Sequence, residues 1–138
     1  MSENRERRAA IIDGSNVAYS TEADRPRLAN IDLVCRKLDE EGFQPVVVVD
    51  AALRHHIDDT REYEKRVDAG EIHQAPAGTD ADYFILSFAR ELDAIVVSND
   101  RFRDRDEAFP DVMERIVRYM IVEGEVVLER RTKRRAGG

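Results

Sequence analysis

Four aspartates stand at positions where a folded chain could bring them into one reactive site. Asp13 and Asp100 each follow a short apolar run, Asp104 comes four residues after Asp100, and Asp82 lies between the two regions. Carboxylates that lie close together repel one another and raise each other's pKa unless a cation separates them. Mg²⁺ and Mn²⁺ prefer oxygen ligands and commonly serve phosphoryl chemistry. The four aspartates therefore predict one or two Mg²⁺ or Mn²⁺ ions at a site that hydrolyses phosphodiester bonds.

Apolar runs typical of buried strands alternate along the chain with spacings typical of amphipathic helices. Strands are predicted at 9–12, 45–49, 72–74 and 94–97, and helices at 28–41, 58–69, 79–92 and 104–116. Two further runs, 119–122 and 126–128, are joined by Glu123-Gly124 and predict a hairpin. This order predicts an α/β fold with a central, mostly parallel sheet and helices on both faces. Ligands bind such sheets at the carboxyl ends of the strands, where the four aspartates should meet.

Composition excludes several classes of protein. The 138 residues are 42% hydrophobic and 37% charged, which suits one folded domain. No apolar stretch is long enough to cross a membrane and the first residues are polar, so a cytoplasmic protein is expected. The only cysteine, Cys35, excludes an internal disulfide and a cysteine-based zinc site. The net charge of −7 means that any bound nucleic acid must be held by locally gathered cations.

Some of these aspartates also have purely structural interpretations. Thr79 to Asp82 can form an N-terminal capping box, in which Asp82 complements the helix dipole. Asp80 can cap the same helix or lie beside the site. Asp50 also follows a predicted strand, but an aspartate before a loop is common, and we leave it out of the predicted site.

Two segments carry a resemblance to a known family. Ile11 to Ala18 reads Ile-Ile-Asp-Gly-Ser-Asn-Val-Ala, and Ile95 to Asp104 reads Ile-Val-Val-Ser-Asn-Asp-Arg-Phe-Arg-Asp. In this order they resemble the NYN-domain ribonucleases of the Regnase (Zc3h12a-like) family within the PIN superfamily, over about residues 11–127. The resemblance implies a three-layer α/β domain and a metal-dependent endoribonuclease that acts mainly on single-stranded or looped RNA.

The resemblance also assigns roles to individual residues. The family's acidic residues match Asp13, Asp82, Asp100 and Asp104, and its asparagine that holds the site or the substrate phosphate matches Asn16. Ser15 and Asp80 are expected beside these groups without binding the metal. The family's eukaryotic members carry two adjacent aspartates where this chain has Ala81-Asp82, so the number of metal ions stays open.

Arginines are the candidates for holding RNA. Arg101, Arg103 and Arg105 alternate with the acidic candidates, and Arg130, Arg131 and Lys133 belong to a basic run. The predicted organisation is a nuclease domain at 1–129 followed by a basic, flexible tail at 130–138. Tyr19 and Phe102 could stack on unpaired bases, although Phe102 is expected in the core. RNA is thus the expected partner, no membrane contact is expected, and a homodimer is left open.

Other functions compete with this interpretation. A PIN-type toxin ribonuclease would share the acidic site, and a catalytically weak RNA-binding domain would share the fold. A phosphoacceptor receiver domain needs a lysine near the end of its last strand, where none of Lys37, Lys65 and Lys133 stands. A haloacid-dehalogenase-type phosphatase needs Asp-x-Asp where the chain has Asp13-Gly14-Ser15.

Overall fold

Five parallel strands form the centre of the structure, a computed structural model that describes residues 7–129. The strands lie in the order β3-β2-β1-β4-β5. They span Ala9–Asp13 (β1), Gln44–Val49 (β2), Ile72–Gln74 (β3), Ile95–Val97 (β4) and Ile116–Val117 (β5). The helices are Gly14–Ala18 (α1), Leu28–Glu40 (α2), Thr60–Asp68 (α3), Ala81–Leu92 (α4) and Pro110–Met113 (α5). Short 3-10 helices occupy Ala51–His55 and Arg103–Arg105.

Helices cover both faces of the sheet. Because successive side chains of a strand point to opposite faces, neighbouring strand residues belong to two different cores. Ile12 packs in one core with Ile31 and Val34 of α2, whereas Ile11 packs in the other with Leu86 of α4. This three-layer α/β arrangement confirms the predicted fold class. β1 lies at the middle of the sheet, between β2 and β4, and the residues that follow it are therefore surrounded by other strand ends.

The predicted helix at 104–116 is wrong. The segment instead contains the 3-10 turn Arg103–Arg105, the single turn of α5 and the two-residue strand β5. Pro110 lacks a backbone N–H and begins α5 at its first turn, so no helix runs through it. Ile116 lies opposite Val96 and extends the parallel sheet by a fifth strand.

The predicted hairpin is confirmed. Tyr119–Val122 (β6) and Glu125–Leu128 (β7) pair in antiparallel fashion as a separate two-stranded sheet. Glu123 and Gly124 have φ angles of 51° and 79°, the left-handed conformations required by a two-residue turn of this kind. Tyr119 and Val126 point into the core shared with α2, and the opposite face of the hairpin is exposed.

No helix within residues 7–129 is long and apolar enough to cross a lipid bilayer.

Candidate active site

Asp13 ends the central strand and caps the helix that follows it. Its Oδ1 accepts a hydrogen bond from the Asn16 backbone N–H at 3.4 Å, and its Oδ2 accepts one from the Ser98 hydroxyl at 2.8 Å. Only 7% of the residue is exposed. Gly14 permits this tight strand-to-helix turn, since a Cβ there would stand 2.6 Å from Cγ1 of Val49.

The electrostatic surroundings of Asp13 disfavour its charged form. The pKa of Asp13 is raised to about 6, chiefly by burial and also by the neighbouring carboxylates of Asp82 and Asp100, whereas the Ser98 and Asn16 hydrogen bonds lower it. No arginine, lysine or histidine within residues 7–129 forms an ion pair with Asp13. A cation placed beside Asp13 would stabilise its charged carboxylate.

Asp82 lies in the first turn of α4 and faces the same region. Burial, followed by the charges of Asp100, Asp50 and Asp104, raises its pKa. Asp80, rather than Thr79, caps the helix, since its Oδ1 accepts from the Asp82 backbone N–H at 3.0 Å. The structure thus places Asp13, Asp82 and Asp100 within electrostatic reach of one another, and Asp104 within reach of Asp82, at the carboxyl edge of the sheet, which we call the acidic edge.

Ser98 joins two of these aspartates. Its hydroxyl donates to Asp13 and accepts from the Asp100 backbone N–H at 3.0 Å. Asp100 in turn accepts from the Phe102 backbone N–H at 2.8 Å, and the buried ring of Phe102 anchors this loop in the core, as expected. Ser98 is not predicted as a site residue from the sequence. Its position directly after β4, at the carboxyl end of a strand, is the pattern that could have indicated it.

Asn16 belongs to a network that fixes the orientation of its side chain. Its Oδ1 accepts from the Asn99 backbone N–H at 3.1 Å and from the Tyr119 hydroxyl at 2.7 Å. Burial raises the pKa of Tyr119 to about 12, so its phenol is a neutral donor. Because a backbone N–H can only donate, the Asn16 amide cannot be flipped, and its Nδ2 has no acceptor within residues 7–129.

Asp50 lies at this edge as well, although the sequence-based prediction left it out. Its charge raises the pKa of Asp82, and its own Oδ1 caps the 3-10 helix through the Leu53 backbone N–H at 2.9 Å. Ser15 supports Asp50, since its hydroxyl accepts from the Asp50 backbone N–H at 3.1 Å. The position of Asp50 directly after a strand of the same parallel sheet is the pattern that could have indicated it.

The predicted RNA-binding arginines fall into three groups. Arg101 and Arg103 are exposed and form no ion pair within the described residues. Arg105 instead pairs with Asp80 and links the 3-10 turn to the start of α4. Arg130, Arg131 and Lys133 lie outside the described residues, as does the whole predicted tail.

The donor chemistry of the site suits a hard divalent cation. All of its candidate ligands are carboxylates, the oxygen donors that Mg²⁺ and Mn²⁺ prefer. Within residues 7–129, no three acidic, histidine or cysteine side chains converge closely enough to surround one ion by themselves. Mg²⁺ commonly keeps several waters and binds through one or two carboxylates, so the arrangement fits a partly hydrated ion.

The fold and the site together define an α/β protein whose central parallel sheet carries aspartates and a fixed asparagine at its carboxyl edge. Residues 6–137 match the family model described as the Zc3h12a-like ribonuclease NYN domain, and the chain therefore belongs to this family. The resemblance read from the two aspartate-containing segments is confirmed.

Solved structures show the same fold. Two structures of the nuclear protein-only RNase P 2 (PRORP2) of Arabidopsis thaliana match with TM-scores of 0.71 and 0.67 at 21% and 24% sequence identity. The matches cover 94% and 92% of this chain but only 32% and 30% of the plant chains, so the chain spans about a third of their length. No protein with a curated description matches.

Proposed function

We propose that the chain is an endoribonuclease that depends on Mg²⁺ or Mn²⁺ and hydrolyses phosphodiester bonds of single-stranded or looped RNA. Membership of the ribonuclease NYN family supports the reaction class. The observation that carries the proposal is the buried carboxylate of Asp13, whose raised pKa has no compensating ion pair among the described residues. A buried carboxylate without an ion pair destabilises the fold, so it contributes nothing to stability by itself. A bound cation would stabilise its charged form, and this explains why such a group suits a cation-binding site.

The carboxylates have different accessibilities. Asp13 is buried, Asp82 is half-buried, and Asp100 and Asp104 are exposed. Asp13, Asp82, Asp100 and Asp104 would hold a partly hydrated ion, some of them directly and the others through its bound waters. When bound, a divalent ion polarises the phosphate and helps to activate water. The structural role of Ser15 and Asp80 is to position Asp50 and Asp82.

The free Nδ2 of Asn16 provides the proposed contact to the substrate. Its carbonyl oxygen is fully engaged, so the amide can donate only away from Asn99 and Tyr119. A non-bridging phosphate oxygen held beside Asp13 would accept this hydrogen bond, which grows stronger as negative charge develops. The exposed Arg101 and Arg103 would bind neighbouring phosphates.

Preference for unpaired RNA is supported by exposed side chains near the site. Tyr19 ends α1 and has 56% of its surface exposed, which suits stacking on a base that is not paired. A cytoplasmic location and a homodimer stay predictions of the sequence. The number of ions also stays a prediction, because Ala81 replaces an aspartate of the family's eukaryotic members.

The test is cleavage of labelled single-stranded and stem-loop RNA by the purified protein in Mn²⁺, Mg²⁺ or chelator. We expect internal cuts with either ion, none in chelator, and faster cutting of the single strand and the loop than of the stem. Asp100→Asn should abolish cleavage, and Asp68→Asn, at the exposed end of α3, should leave it unchanged. RNA binding without cleavage under all conditions would instead favour the catalytically weak binding domain.

A further inference from the structure

An open cavity of about 370 Å³ adjoins the candidate active site on the hairpin side. It is lined by Asn99, Arg118, Tyr119, Met120, Val127 and Glu129, and we call it the hairpin cavity. Asn99 stands between Ser98 and Asp100, both of which belong to the acidic edge. A ligand in the hairpin cavity would therefore lie next to the phosphate proposed to react.

The floor of the hairpin cavity is apolar and exposed. Met120 and Val127 lie directly opposite each other across the hairpin and have 57% and 53% of their surfaces exposed. A cross-strand pair of this kind forms a flat platform of apolar atoms. Leaving it in water is unfavourable, and covering it with the face of a planar ring would gain free energy.

Polar groups at the rim have the chemistry that a nucleotide requires. The Asn99 Oδ1 accepts from the Tyr119 backbone N–H at 3.1 Å, which fixes the amide and leaves its Nδ2 to donate to a ligand. The exposed Arg118 side chain has no hydrogen-bond or ion-pair partner within residues 7–129. Glu129 adds an acceptor that could receive a hydrogen bond from a base N–H.

We propose that the hairpin cavity binds the base of one unpaired nucleotide adjacent to the scissile phosphate, an inference that rests on the proposed ribonuclease function. The base lies on Met120 and Val127, Asn99 donates to its edge, and Arg118 binds the phosphate on its outer side. Asn99 also connects the two regions, because its backbone N–H holds the Asn16 carbonyl. Occupation of the cavity thus aligns the chain of the RNA with Asn16 and the aspartates.

The hairpin itself supplies a matched control. Val122 is the same residue type as Val127 and has a similar exposure, 50% against 53%, but it does not line the cavity. Val127→Ser should therefore impair the subsite, whereas Val122→Ser makes the same chemical change outside it.

The experiment measures kcat and KM for a short single-stranded RNA and for copies in which one base at a time is replaced by an abasic sugar. We expect the removal of one base next to the cut to raise KM about tenfold with the wild-type protein. Val127→Ser should raise KM for the intact RNA to a similar degree and lose the response to that abasic position. Val122→Ser should behave as wild type, and Arg118→Gln should weaken binding.

Several results would overturn the proposal, and they differ from a failure of the ribonuclease function. Cleavage by the wild type with equal behaviour of the two valine variants would remove the subsite and leave the nuclease in place. A wild-type protein that sediments as a dimer and becomes monomeric with Val127→Ser would show that a second copy covers this face. Absence of cleavage by the wild type itself would refute the ribonuclease function and this subsite together.

Discussion

Two groups of acidic side chains in this molecule differ in whether an arginine neutralises them and in the direction of their pKa shifts. On the surface of α2 and α3, Arg66 binds both Asp32 and Glu62, and its hydrogen bond holds the pKa of Glu62 below the usual range. At the carboxyl edge of the sheet, burial and neighbouring carboxylates raise the pKa of Asp13 and Asp82, and no ion pair within residues 7–129 offsets this. The first group stabilises its own charges, and the second leaves them to be neutralised by something bound.

This difference is informative because arginine is abundant in the chain. Arg90 pairs with Asp111, and Arg7 pairs with Asp39, so arginines neutralise acidic groups at several places on the surface. At the acidic edge, Asp80 is the one aspartate with such a partner within residues 7–129, namely Arg105, and Asp80 is also the cap of α4. Asp13 and Asp82, which are proposed to bind metal, combine a raised pKa with the lack of an ion pair within residues 7–129.

The largest expected effect is on cleavage. Asp13→Asn and Asp100→Asn each remove a charge while keeping the shape of the side chain, and kcat should fall roughly 1000-fold. Asp32→Asn removes an aspartate that has an arginine partner and should leave kcat within about twofold. Single-turnover cleavage in Mn²⁺ measures all three variants. Full activity of Asp13→Asn would contradict the assignment.

The same substitution should have the opposite effect on stability. The unfolded Asp13 ionises at pH 3.8, but the folded one keeps its proton until about pH 6, so stability is lost as the pH rises through this range. In chelator, wild type should lose about 2 kcal/mol relative to Asp13→Asn between pH 4 and pH 7. Urea unfolding of both proteins across this range measures the difference, and a difference independent of pH would show that Asp13 is not destabilised.

Asn16 and Tyr119 test the hydrogen-bond network beside the acidic edge. Asn16→Ala removes the amide that we propose to contact phosphate, and kcat should fall about 100-fold with a much smaller change in RNA affinity. Tyr119→Phe removes only one donor to the Asn16 carbonyl and should lower kcat several-fold. Equal losses of affinity and kcat in Asn16→Ala would indicate a purely structural role.

The smallest expected effect concerns the salt dependence of RNA binding. Replacing Arg101 and Arg103 by glutamine should reduce the slope of log affinity against log salt by about 1.4, the value for two lost contacts to a single strand. Arg66→Gln, which removes a cation that already has two acidic partners, should leave the slope unchanged. Removal of residues 130–138 tests the predicted basic tail in the same assay. If the slope is unchanged when Arg101 and Arg103 are replaced by glutamine, RNA does not bind at these two arginines.

The positions of Asp13 and Asp100 at one edge of the sheet follow from the sequence because one geometric rule applies to both. Asp13 and Asp100 follow strands, and parallel strands end at one edge, so their proximity could be derived without knowing any contact. Asp50 obeys the same rule, but an aspartate before a loop is common and no further motif accompanies it, so the sequence alone does not single it out. The error at 104–116 has another origin, since charged residues concealed a strand of two residues and a proline that starts a new helix.

The remaining features depend on contacts that no local pattern encodes. Tyr119 and Asn16 are 103 positions apart in sequence, and only the packing of the hairpin against α2 brings them together. The ion pair between Arg105 and Asp80 joins two loops. Arg105, which is predicted to bind RNA, is therefore already occupied by an acidic partner. The orientation of the two asparagine amides likewise follows from backbone donors placed by the fold.

The most direct measurement is a calorimetric titration of Mn²⁺ into the protein at pH 6 in buffers of different ionisation enthalpy. If the uncompensated carboxylates form the cation site, Mn²⁺ should bind and release about half a proton, because Asp13 is about half protonated at this pH. Asp13→Asn should bind more weakly and release no proton, and Asp32→Asn should match the wild type. Absence of binding, or the same affinity and proton release in Asp13→Asn, would contradict the account.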